Sequence, residues 1–308
     1  MIYTCTLNPS VDYTIILDKI QVGLLNRATS EHFTPGGKGI NVSLMLHNLG
    51  VESRLLGFLG GFTGQYINES LMRFPLIMPK FLFVEGITRI NLKIQGKEET
   101  EINGCGPMIH ESDFSALLER IRLIKDNDVL ILSGNTPASL VNPYLKISEI
   151  IHHNKGLLIV DTTKESLLST LKYHPFLIKP NLNELEELTH KKLLTDIEIY
   201  RAAQELIQLG AQHVLVSLGG EGAMLVTNVK AYRVKALKGE VVNTIGSGDS
   251  MIAGFISEYL KTNSLIEALR MGAACGSATA FSQGIGCLEL VMKLRDRIEI
   301  EEIHYESN

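Results

Sequence analysis

Asp128-Val129-Leu130-Ile131-Leu132-Ser133-Gly134 is a run of apolar residues with no polar face, closed by two small residues. A strand built from it has to be covered on both sides, as strands are in the interior of a parallel sheet. The same form recurs outward from it. Leu157-Leu158-Ile159-Val160 precedes Asp161, Phe176-Leu177-Ile178 precedes Lys179-Pro180-Asn181, and Val214-Leu215-Val216 precedes Ser217. Each run ends in small or polar residues, which is how buried parallel strands deliver functional groups at their carboxyl ends. Helical patterns lie between them, such as residues 202–209 closed by Gly210. This alternation predicts an α/β fold with a mostly parallel central sheet.

Two segments break the rhythm. Residues 10–34 and 82–103 are turn-rich and extended, and Thr88-Arg89-Ile90-Asn91-Leu92-Lys93-Ile94 alternates polar with apolar side chains. That alternation predicts a half-exposed antiparallel strand. The two segments are expected to form a small antiparallel β lid with its charged residues toward a ligand, Arg89 and Lys93 sharing one face. No repeat or Pro/Ser-rich linker divides the chain, so residues 1–308 are read as a single domain with a discontinuous lid.

Composition narrows the partners. The 308 residues are 45% hydrophobic and 20% charged, enough to bury a full core, and the formal net charge is -5. Such a balance offers no bulk attraction to nucleic acid or to an anionic membrane, and no basic helix is present. Cations and backbone amides placed locally must hold any phosphorylated ligand. The opening Met1-Ile2-Tyr3-Thr4-Cys5 has neither the charged nor the apolar region of a signal peptide, and no apolar run approaches the ~20 residues of a membrane span. The expected location is cytoplasmic. Cys5, Cys105, Cys275 and Cys287 have no zinc-like spacing and are read as reduced thiols, and His152 and His153 as surface residues of a helix.

Two glycine-rich stretches carry the chemistry. In Asn243-Thr244-Ile245-Gly246-Ser247-Gly248-Asp249-Ser250, the glycines allow a turn that exposes backbone N–H groups at the start of the helical run 251–260. Asp249 beside those amides could accept a proton from a hydroxyl while they stabilise a transferring phosphoryl group. A plain helix N-cap fits the same residues. Pro35-Gly36-Gly37-Lys38-Gly39-Ile40-Asn41 leads into the helical pattern 42–49 and brings a cation to a close-approach loop. It lacks the Walker spacing, and a simple loop-to-helix junction also fits.

Together, Gly36-Gly37-Lys38-Gly39 with Asn41 and Gly246-Ser247-Gly248-Asp249 resemble the two signature motifs of the ribokinase-like (PfkB) carbohydrate kinase family. Thr6-Leu7-Asn8-Pro9-Ser10-Val11-Asp12, Lys179-Pro180-Asn181-Leu182-Asn183-Glu184-Leu185 and Ser217-Leu218-Gly219 agree in the family's order, so the resemblance covers essentially the whole chain. It implies the three-layer ribokinase-like fold and ATP-dependent phosphorylation of a sugar. Gly60 to Gly64, Thr88 to Ile94, Glu99 to Gly104 and Gly276 to Ser282 are most similar to members that act on fructose 1-phosphate. Members acting on tagatose 6-phosphate share the Thr-Leu-Asn-Pro-Ser stretch and the Gly-Ser-Gly-Asp turn, and remain an alternative.

The resemblance also implies roles. Asp249 is the expected general base, with Gly246, Ser247 and Gly248 as the anion hole. Asp12, Gly36, Gly37 and Asn41 are expected at the sugar, and Lys38, Arg27, Arg89 and Lys93 at its phosphate. Lys179, Asn181, Ser217, Gly219, Gly220, Glu221 and Gly222 are expected at ATP, together with Gly248, while Asn181 and Glu184 orient Mg²⁺ through its water shell. Lid strands with an apolar face are consistent with a homodimer. Two departures stand out: Ser247 replaces the common alanine, and Ser133-Gly134-Asn135-Thr136-Pro137 replaces the usual Ser-Gly-Ser-x-Pro, which leaves open a phosphate contact normally made by serine. A non-catalytic sugar-phosphate sensor on the same fold is the rival reading, and the intact Asp249 opposes it.

Overall fold

The computed structural model describes residues 1–96 and 99–303. Its strands are β1 (Ile2–Thr6), β2 (Ser10–Ile16), β3 (Ser30–Gly36), β4 (Ser53–Gly60), β5 (Ile77–Pro79), β6 (Leu82–Val84), β7 (Arg89–Gln95) and β8 (Thr100–Asn103). They continue as β9 (Val129–Ser133), β10 (Leu157–Asp161), β11 (Leu177–Ile178), β12 (Val214–Ser217), β13 (Ala223–Val226), β14 (Ala231–Val234) and β15 (Ile300–Ile303). The first five helices are α1 (Lys38–Asn48), α2 (Gly61–Leu71), α3 (Glu111–Ile121), α4 (Pro143–His153) and α5 (Lys164–Leu171). The others are α6 (Leu182–Thr189), α7 (Asp196–Gln208), α8 (Ser247–Thr262), α9 (Leu265–Ala280) and α10 (Leu288–Arg295).

Eleven strands form one sheet in the order β15-β14-β13-β12-β11-β10-β9-β1-β4-β5, with β6 beside β4. From β12 to β5 every pairing is parallel, and β13, β14 and β15 add an antiparallel edge. The run 129–132 shows why it needs no polar face. Leu130 and Leu132 pack toward α3 to α7, while Val129 and Ile131 pack toward α1, α8, α9 and α10. Successive side chains of a strand alternate faces, and here each face is roofed by helices. The layers are helix, sheet, helix.

The second sheet has four strands in the order β3-β2-β7-β8. β2–β3 and β7–β8 are antiparallel, whereas β2 runs parallel to β7, a direction the alternation of residues 88–94 could not reveal. Leu82–Val84 departs from the expected lid and lies along β4 of the large sheet, because its apolar residues pack against that core. A third apolar cluster, including Val11, Ile40, Leu55 and Leu59, sits where β2 meets α1 and β4. One face of the small sheet carries Asp12, Asn91 and Lys93, and the other carries the stacked pair Tyr13–Phe33 at 4.2 Å between ring centroids.

Helices begin somewhat earlier than their apolar periodicity suggested. α1 starts at Lys38 and α8 at Ser247, so both glycine-rich motifs supply the first turn of a helix as well as the loop before it. His152 and His153 are exposed on α4 as expected, and all four cysteines are free thiols. No helix among the described residues is long and apolar enough to cross a membrane.

Candidate active site

The first turns of α1 and α8 face each other across the carboxyl ends of β1, β10 and β11. Gly246 caps α8 with φ 78°, a left-handed conformation that a residue with a Cβ adopts only under strain. The turn seats Asp249 in the first turn of the helix, 6% exposed. First-turn amides have no acceptor inside their own helix, and the helix dipole adds positive character there. The α1 turn is tied down by Thr6, whose Oγ1 accepts the Gly39 N–H at 2.8 Å. From it, Asn41 Nδ2 donates to Asp249 Oδ2 at 2.8 Å. Asn41, expected at the sugar, therefore also orients the Asp249 carboxyl.

Asp161 completes this group from the end of β10 and is fully buried. Lys38 Nζ reaches its Oδ1 at 2.9 Å and Lys179 Nζ its Oδ2 at 3.6 Å. The lysines come from opposite sides: Lys38 from the motif expected at the sugar, Lys179 from the strand end expected at ATP. Burial works to raise the Asp161 carboxyl, but Lys179 and Lys38 more than offset it and hold it below the usual range. At Asp249 burial wins. It pushes the carboxyl from 3.8 up to about 6, helped by the charge of Asp161 and opposed by Lys38, the Asn41 hydrogen bond and Lys179. For Lys38, burial works downward and is overcome by Asp161 and Asp249, leaving the ammonium more firmly protonated than usual.

The small sheet supplies a second group. Asp12 accepts from Ser10 Oγ at 2.8 Å, Asn91 Nδ2 at 3.1 Å and Lys93 Nζ at 2.7 Å. Gly36 lies so close that a Cβ there would stand 2.4 Å from Asp12 Oδ1. Lys93, expected at the sugar phosphate, is thus the counter-ion of Asp12. Arg89 donates Nε to the Asn8 carbonyl at 3.1 Å, and burial lowers its pKa. Arg27 lies on the exposed stretch between β2 and β3 and makes no hydrogen bond or ion pair among the described residues. A cavity of about 1050 Å³ opens between Asp12, Thr34 and Lys93 of this sheet, Asn41 of α1 and the segment 241–245. That volume accommodates a sugar phosphate.

On the far side, Asn181 and Glu184 form a reciprocal cap at the start of α6. Asn181 Oδ1 accepts the Glu184 N–H and Glu184 Oε2 accepts the Asn181 N–H, each at 2.8 Å. The Asn-x-x-Glu motif is therefore a capping box as well as a candidate metal holder. Ser217 ends β12 beside Asn181, and Gly219 and Gly220 follow with open space around their Cα atoms, while Glu221 and Gly222 close the turn. Arg233 Nη1 donates to the Glu221 carbonyl at 2.8 Å and fixes that turn. Sequence reasoning missed Asp161, Asn91 and Ser10 as members of the site. The signal for Asp161 was a carboxylate at the end of a parallel strand.

The arrangement joins a buried carboxyl of raised pKa, a helix N-terminus, two lysines and a cavity large enough for a sugar phosphate. The model of the pfkB family carbohydrate kinases matches residues 6–289. The 1-phosphofructokinase of Bacillus subtilis is 42% identical over 98% of this chain and 100% of its own length. The D-tagatose-1-phosphate kinase of Bacillus licheniformis is 40% identical over 98% and 100%. The crystal structure of phosphofructokinase-2 from Escherichia coli in complex with substrates and products superimposes with a TM-score of 0.89 at 30% identity, over 96% of this chain and 98% of that one.

Proposed function

The chain belongs to the pfkB family of carbohydrate kinases, and from that premise we propose that it transfers the γ-phosphoryl group of ATP to the 6-hydroxyl of fructose 1-phosphate, giving fructose 1,6-bisphosphate. One observation carries this reading: a buried carboxylate, Asp249, at the start of a helix, oriented by Asn41 and flanked by two lysines. Asp249 takes the proton of the attacking hydroxyl, and the first-turn amides of α8 stabilise charge on the phosphoryl group in flight. Lys38 and Lys179 offset the repulsion between two phosphate-bearing substrates, and Asp12 and Asn41 hold the sugar's hydroxyls. Arg89 and Lys38 take the phosphate already on the sugar. Lys93 holds the Asp12 carboxylate in place through their ion pair. Lys179 and the turn 217–222 receive the nucleotide.

The residues present suit Mg²⁺ held through its water shell. Glu184 uses Oε2 for the cap, and its charge is felt at Lys38 across the cleft. A carboxylate and an amide oxygen are the hard donors that Mg²⁺ accepts. When bound, the ion would neutralise charge on the ATP phosphates. The apolar face of the small sheet, with Phe33 48% and Ile102 57% exposed, supports pairing with a second copy of the chain.

A coupled kinase assay across fructose 1-phosphate, tagatose 1-phosphate, fructose 6-phosphate and tagatose 6-phosphate tests the assignment. The second sugar belongs in the panel because a relative named for it is 40% identical. A site built to hydrogen-bond particular hydroxyls discriminates by up to roughly 10⁴, so kcat/KM for fructose 1-phosphate should exceed that for either 6-phosphate at least ~100-fold. Equal turnover of tagatose 6-phosphate would overturn the substrate and leave the kinase.

A further inference from the structure

Asp249 has to stay free of cations until a hydroxyl arrives, yet two lysines stand beside it. Lys179 Nζ lies 2.9 Å from the point where a Cβ on Gly248 would sit, one residue before the base. Lys38 stands on the facing turn of α1 that also carries Asn41, the residue bonded to the base. Both ammonium groups nevertheless point to another carboxylate, at 2.9 Å and 3.6 Å from Asp161. Asp161 is fully buried, and among the described residues its Oδ2 has no hydrogen-bond partner and only the longer ion-pair contact with Lys179, so the two lysines account for its side-chain contacts there. Asp249 forms no ion pair among the described residues, and its side-chain partner is the neutral amide of Asn41.

We propose that Asp161 is a positioning residue: it holds Lys38 and Lys179 between the two substrates and keeps both off Asp249, so that the base retains a neutral partner. The inference rests on Asp249 being the base. The charges that face Asp249 are Asp161 from β10, Lys38 from α1 and Lys179 from the segment after β11. Burial is the largest cause of its raised pKa, the charge of Asp161 is next, and the two lysines oppose the rise. Neutralising Asp161 removes the one like charge and releases two cations. Both changes act in the same direction, making Asp249 a weaker base.

The test compares Asp161→Asn, Lys179→Gln and the double variant with wild type. Each is assayed for kcat, and for kcat/KM across pH, with whichever ketose phosphate the wild type turns over best, so that an error in the assigned sugar does not enter. In Asp161→Asn, kcat should fall up to about tenfold, the most that a base weakened by about one pKa unit loses. The acid limb of its pH profile should move down by about one unit, as for a carboxylate that gains a lysine partner. Adding Lys179→Gln should bring the limb part of the way back, a reversal that a purely structural role does not produce. Should Asp161→Asn fail to fold, the charge-balanced double variant against Lys179→Gln alone gives the same reading, with the lower limb wherever Asp161 is absent. A limb that stays at its wild-type position in these comparisons overturns the inference. Wild-type turnover in Asp249→Asn would instead sink the base itself.

Discussion

Replacing Asp249 by Asn should make the protein more stable and nearly inactive. The carboxyl sits 6% exposed with its pKa raised from 3.8 to about 6, so the folded state binds the proton more tightly than the unfolded chain does. Between those two values stability falls as pH rises, because the folded state must give up a proton it holds strongly. Above about pH 6 the full cost is present, on the order of 3 kcal/mol. In Asp249→Asn the amide oxygen can still accept from Asn41 Nδ2, so the hydrogen bond survives and the buried charge does not. Urea denaturation of the ligand-free protein at pH 7 should show a gain of roughly 2–3 kcal/mol, shrinking toward zero near pH 4, where wild-type Asp249 is already protonated. The coupled assay should show kcat lower by at least ~100-fold. In wild type, kcat/KM, which reports the free enzyme, should be half-maximal near the same pH of about 6 and fall tenfold for each further unit of acid. Unchanged or lower stability at pH 7, or a gain that persists undiminished at pH 4, would refute the electrostatic account.

Two further substitutions test the flanks of the site. Gly36→Ala places a methyl group 2.4 Å from Asp12 Oδ1 and must displace that carboxylate. KM for the sugar phosphate should rise about tenfold, the equivalent of ~1.4 kcal/mol, with KM for ATP unchanged. An equal rise in both would place Asp12 outside the sugar site. Glu184→Gln keeps an oxygen able to accept the Asn181 N–H and so preserves the cap of α6, with stability within ~0.5 kcal/mol of wild type. The Mg²⁺ concentration for half-maximal rate should rise several-fold, and an unchanged Mg²⁺ response would confine Glu184 to capping.

The large sheet was legible because its strands are covered on both faces. A run such as 129–132 has only one way to be buried, and β10, β11 and β12 repeat it. The small sheet was legible only in part. Alternation along 88–94 tells which side chains share a face, but not which strand lies alongside or in which direction, and β7 proved parallel to β2. The segment 82–84 looked like its neighbours in composition, and burial against the large sheet decided its place. Asp249, Lys38 and Asn41 could be found because glycines mark their turns. Asp161 could be read only as a carboxylate at the end of a parallel strand, since its ion pairs are with Lys38, 123 residues away, and with Lys179. Asn181 and Glu184 fit two readings at once because the spacing that caps a helix also places two oxygen donors at its start.

Every group that fixes the Asp12 carboxylate belongs to the small sheet: Ser10 on β2 itself, with Asn91 and Lys93 from β7. Asp249 is held instead by Asn41 of α1, a helix packed on the large sheet. On the proposed reading, the part of sugar recognition made by Asp12 and Arg89 is therefore separable from phosphoryl transfer, while Asn41 and Lys38 serve both. Residues of the four-stranded sheet can change, and with them the ketose accepted, while the machinery around Asp249 stays as it is. On the same reading, a sugar that spans from Asp12 to Asp249 engages both parts at once, whereas a water molecule is too small to do so, which guards ATP against hydrolysis.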